Sequence, residues 1–134
     1  MNGSCIEPPE TGKARILIIN ATVTRRDESS MKSSDPYVKL FLDQKYLMKT
    51  KTIENNNNPV WNQAIITPVI TSDTQISLIV LNRDAMHEQI LTTVQTNIDL
   101  MMAQERNGTI TCAPPITEVN KNQLCYSLTW FPGF

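Results

Sequence analysis

With 134 residues, 40% of them hydrophobic and 19% charged, the chain is long enough to fold as one domain around its own core and too apolar for disorder to dominate. Twelve basic against thirteen acidic residues leave a net charge of -1, which argues against nucleic acid as a partner and makes any positive surface a local one. No stretch reaches the apolar length of a bilayer-spanning helix, and the N-terminal MNGSCIEPPETGK has no apolar run like that of a signal peptide.

In chain order, residues 1–12, with Pro8 and Pro9, read as a flexible leader, and residues 13–134 as one domain. ARILIINATV is Ile-rich and ends in the long polar stretch TRRDESSMKSSDP. In PYVKLFL the residues alternate: Val38, Leu40 and Leu42 point one way and Tyr37, Lys39 and Phe41 the other, the period-two mark of a strand. KYLMKTKTI follows after a short turn at Asp43 and Gln44. Four asparagines, 55–58, then predict a turn, because asparagine tolerates left-handed backbone, and Pro59 belongs at the start of the next strand, where no ladder donor is needed. NQAIITPVI, TQISLIVL, ILTTVQTNI, GTITC and QLCYSLTWF complete the set; only NIDLMMAQER reads as helical, for one or two turns. Short apolar runs with turn signals every eight to twelve residues or so predict an all-β sandwich.

Three widely spaced cysteines, Cys5, Cys112 and Cys125, suit free thiols in a reducing compartment better than a disulfide framework, a bridge between Cys112 and Cys125 being the lesser alternative. Sequons at Asn2, Asn20 and Asn107 are of the number expected by chance in a chain this rich in Asn, Ser and Thr. His87 is the only histidine and has no nucleophile beside it, so an enzyme is not expected.

SDPYVKL, then KTKTI, then NNPVWN, in that order, resembles the core signature of C2 domains, and the likeness extends from about residue 13 to 131. It implies an eight-stranded antiparallel Greek-key β-sandwich with one short helix in a connection. QLCYSLTWF resembles a strand that comes first in one C2 topology and last in the circularly permuted one; here it is last, which implies the permuted, type II-like order.

Between Lys39 and Lys51 stand four lysines and one aspartate, a local surplus of +3 in a chain whose total is -1. If the two strands pair, these charges form one patch, and each basic residue near an anionic membrane contributes about 1 kcal/mol. In C2 domains that bind phosphoinositides, a tyrosine and lysines at matching points contact the head group. The resemblance therefore makes Tyr37, Lys39, Lys45, Lys49 and Lys51 candidate lipid-binding residues. The alternative is a solvated sheet face whose lysines guard an exposed strand. Met31 and Met86 stand at the expected tips of the first and third loops, where they would dip into a membrane or be incidental.

Many C2 domains hold calcium between loops at one end of the sandwich, through several carboxylates. Here the matching candidates are Asp27, Asp35, Asn82, Asp84 and Glu88, a degenerate set. Asp27 needs an inserted loop, Asn82 lacks the charge of the family aspartate, and the alternative register of LNRDAMHEQI places Arg83 in the pocket. The expectation is a peripheral, cytoplasmic membrane-targeting module that binds anionic phospholipid or phosphoinositide and requires no cofactor. Two alternatives stay open: a protein-interaction or autoinhibitory domain of a larger protein, similar to those of WW-containing HECT ubiquitin ligases, and a calcium-dependent phospholipid binder. A further likeness of the NNNNPVW turn to the C2 domain of perforin-like secreted proteins conflicts with the sparse acids of these loops.

Overall fold

A computed structural model of the chain describes residues 8–24, 33–83 and 87–134. Among these residues, nine antiparallel strands form two packed sheets. They are β1 (Thr11–Thr22), β2 (Pro36–Leu42), β3 (Lys45–Lys49), β4 (Val60–Ile66), β5 (Ile70–Thr71), β6 (Ile76–Arg83), β7 (Glu88–Thr96), β8 (Ile110–Ala113) and β9 (Gln123–Pro132). One sheet runs β4-β1-β9-β8, with β5 on the end of β1; the other runs β3-β2-β6-β7. The C-terminal strand β9 lies inside its sheet between β1 and β8, the place that the permuted order requires.

The strand beyond the expected eight is the two-residue β5. NQAIITPVI breaks at Thr67, whose Oγ1 accepts from the Ala14 N–H and whose own N–H donates to the Ala14 carbonyl, while Pro68 has no donor to continue the ladder. The chain then pairs again through Ile70 and Thr71 with Gly12 and Thr11. Strand β1 thus starts two residues inside the expected leader. Gly12 is what allows this: a Cβ there would lie 2.4 Å from the Phe131 carbonyl oxygen and 2.8 Å from the Trp130 ring.

The core is the set of inward positions. In β1 they are Ala14, Ile16 and Ile18; a bulge between Ile18 and Asn20 then shifts the alternation by one, so that Ala21 and Val23 also face in. Val38 and Leu40 of β2, Leu78 and Val80 of β6, and Leu124, Leu128 and Trp130 of β9 close the interior. The helical segment is a short helix, α1 (Ile98–Ala103), capped by the Asn97 side chain, which accepts from the Leu100 N–H at 2.7 Å.

The asparagine run is a clamp. Asn55 has φ 53°, and its N–H donates to Asp35 Oδ1; the Asn56 N–H donates to the Ser34 carbonyl and the Asn57 side chain accepts from the Ser34 N–H. Behind it, Trp61 is buried and its Nε1 donates to the Lys51 carbonyl at 2.9 Å. The turn thereby ties the Ser34–Asp35 segment to β4.

One sequence expectation is corrected. Cys112 and Cys125 face each other directly across β8 and β9 and form a disulfide. Spacing along the chain left this pair as the lesser alternative, because the bridge is made by strand register. Two of the three thiols therefore no longer argue for a reducing compartment.

Candidate functional site

The site is built on the outer face of the β3-β2-β6-β7 sheet. Strands β2 and β3 are joined by the two-residue turn Asp43–Gln44, with φ 48° and 67°, the positive angles of a tight hairpin. Asp43 anchors that turn, its carboxylate accepting from the Gln75 N–H at 2.9 Å. The hairpin register sets Lys39 directly opposite Lys49, and directly opposed residues share a face.

Three groups gather round that pair. Tyr37 lies two residues before Lys39 on the same face; it is buried, and the Lys49 Nζ stands 6.0 Å from its ring centroid. Glu88, the first residue of β7, reaches across from Arg83, its register partner on β6. One of its carboxylate oxygens accepts from the Tyr37 hydroxyl and the other lies 3.1 Å from Lys39 Nζ. Next along the sheet is a shallow hollow of about 300 Å³ lined by Phe41, Gln44, Ser77, Ile79 and Gln95, with Tyr46 edge-on to Phe41.

The five candidate lipid-binding residues do not all meet. Tyr37, Lys39 and Lys49 form the face. Lys45 pairs with Leu42, an inward position, and lines a separate groove of about 620 Å³ with Tyr46, Leu47, Val69 and Ile70 at the other end of β3. Lys51 lies past the end of β3, is exposed, and offers its carbonyl to Trp61. The lysine face thus has a narrower base than the count of lysines implied.

At the loop end two of the candidate calcium ligands, Asp35 and Asn82, meet. Asp27, Asp84, Met31 and Met86 lie outside the described residues. Asn82 is 2% exposed and structural: its Oδ1 accepts from the Asp35 N–H at 2.8 Å and its Nδ2 donates to Gln89. Asp35 accepts from Asn55, and the Arg83 guanidinium pairs with Glu54 at 3.0 Å. Glu88, grouped with these acids by sequence, is turned to the lysine face instead. Among the described residues no cluster of three His, Cys, Asp or Glu side chains could hold a metal ion.

Sequence reasoning missed Glu88 as a member of the lysine face. Its position follows from the β2-β6-β7 register, including a shift between Val80 and Leu81, and no local pattern carries that information.

A family model described as "C2 domain" matches residues 12–112. A mouse protein, "Multiple C2 and transmembrane domain-containing protein 2", is 40% identical over 52 residues, 39% of this chain and 6% of that protein. The Arabidopsis thaliana "Calcium-dependent lipid-binding protein" is 31% identical over 101 residues, 75% of this chain and 20% of that protein. The chain thus spans a minor part of the length of both relatives. Among solved structures, a C2 domain of plant Extended Synaptotagmin 1 superposes with a TM-score of 0.73 over 96% of this chain and 99% of that one, at 17% identity, a likeness of fold. No helix of the described residues is long and apolar enough to cross a membrane.

Proposed function

The chain belongs to the C2 domain family, and we propose that it is a peripheral membrane-binding module whose Tyr37, Lys39 and Lys49 face receives anionic lipid head groups without calcium. The C2 domain is a non-catalytic module, and the Arabidopsis thaliana relative is named for calcium-dependent lipid binding. The observation that carries the reading is the direct opposition of Lys39 and Lys49 beside the Tyr37 ring. Two ammonium groups and a phenol on one rigid face match a phosphate oxygen cluster, and about 1 kcal/mol for each cation near an anionic surface gives weak, reversible attachment. Such binding is screened by salt.

Calcium independence is supported by the loop end. Asn82 contributes no charge and spends its oxygen on the Asp35 N–H, Glu88 is engaged elsewhere, and fewer carboxylates mean weaker calcium affinity.

Co-sedimentation with neutral, phosphatidylserine-containing and phosphoinositide-containing vesicles, each in calcium and in chelator, tests the proposal. Binding that persists in chelator and weakens with salt supports the lysine face. Pelleting only with calcium would move the site to the loops, and no pelleting at all would favour a protein-interaction role.

A further inference from the structure

Glu88 sits where an incoming anion would sit. Its two oxygens take the Tyr37 hydroxyl and the Lys39 ammonium, the same groups that the proposed reading offers to a head group. Lys49, by contrast, has no carboxylate partner among the described residues. Two lysines against one carboxylate leave this face with one net positive charge, not two. The Lys39–Glu88 pair is also exchangeable. The two side chains are 27% and 47% exposed, and ion pairs with that much solvent contribute little to stability. A buried pair would hold the lysine permanently; this one can be replaced by a better anion.

We infer that Glu88 is a built-in counter-ion that occupies the anion position of the lysine face, so that a lipid head group must displace it before it can bind. The consequence is a threshold. The domain stays off membranes sparse in anionic lipid and binds where the density or charge of head groups is high enough to compete with a carboxylate that β7 always keeps nearby. Displacement also has a steric logic: Glu88 is the first residue of β7, an edge strand, whereas Tyr37 and Lys39 lie on β2, which is paired on both sides. The Glu88 side chain can swing away while the strand that carries Tyr37 and Lys39 stays in place.

The inference rests on the lysine face being the membrane site, and the test separates the two. Vesicles of phosphatidylcholine with increasing phosphatidylserine are titrated in chelator with the wild type, E88Q, and K39A/K49A. Glutamine keeps the side-chain shape and an acceptor for Tyr37 while removing the charge, and a thermal melt checks that E88Q is folded. The expected result is that E88Q binds about five-fold more tightly, with half-maximal binding at a lower phosphatidylserine content and a steeper dependence on salt, the worth of about one surface charge. An E88Q curve that overlies the wild type, while K39A/K49A loses binding, overturns the counter-ion role and leaves the lysine reading intact. Wild-type binding by K39A/K49A overturns both.

Discussion

Lys39 and Lys49 stand face to face across the β2–β3 hairpin, and the buried ring of Tyr37 lies under the second of them. Like charges directly opposed on neighbouring strands are mutually unfavourable, so this pair exists at a cost to the fold. Replacing Lys49 with alanine is accordingly expected to leave the melting temperature unchanged or slightly raised, while weakening binding to anionic vesicles about five-fold. Lys39→Ala should weaken it by about as much, because either substitution leaves one lysine against the Glu88 carboxylate. A drop in melting temperature of several degrees for Lys49→Ala, with binding intact, would make the lysine structural.

Asn82 holds the end of β6 to Asp35 through a neutral amide. Asn82→Asp keeps the acceptor for the Asp35 N–H and adds the charge that a calcium site wants. The variant is expected to be less stable than the wild type in chelator, because a carboxylate at a 2% exposed position is poorly solvated. Added calcium should restore part of that loss in a thermal melt. The wild type should show little calcium-dependent shift, and a large one would return Asp35 and its neighbours to the role of a metal site.

The bridge between Cys112 and Cys125 closes a short loop of sequence separation 13. A loop of that size restricts the unfolded chain by roughly 3 kcal/mol in the chain-entropy model. The double variant C112A/C125A should lose about 2 to 3 kcal/mol in a denaturant titration. Alkylation of the unfolded, unreduced protein should modify Cys5 alone, and after reduction all three cysteines. Three modified cysteines without reductant would show that the bridge does not form.

Gly12 has no room for a side chain, with the Phe131 carbonyl oxygen 2.4 Å from where a Cβ would be. Because that neighbour is backbone, it cannot rotate away. Gly12→Ala should destabilise the fold by about 1 to 3 kcal/mol, read as a lower denaturation midpoint with an unchanged slope. It lies in the other sheet from the lysine face, so the folded fraction should bind vesicles as the wild type does.

Eight of the strands, the short helix and the turn at the asparagines were legible in the sequence, because each follows from a local period or from residues that favour one backbone conformation, and the place of QLCYSLTWF followed from the resemblance to C2 domains. Tyr37, Lys39 and Phe41 share a face for the same reason: side chains two apart along a strand point the same way. Which residues meet across strands is a different kind of fact. The disulfide, the opposition of Lys39 to Lys49, the departure of Lys45 to another groove and the arrival of Glu88 at the lysine face all depend on register, and register here is set by bulges in the β2–β3 and β6–β7 pairings as well as by the turns. A shift of one residue reverses the face of every side chain beyond it. Local pattern therefore determined what the elements are, and tertiary pairing decided which charges they bring together.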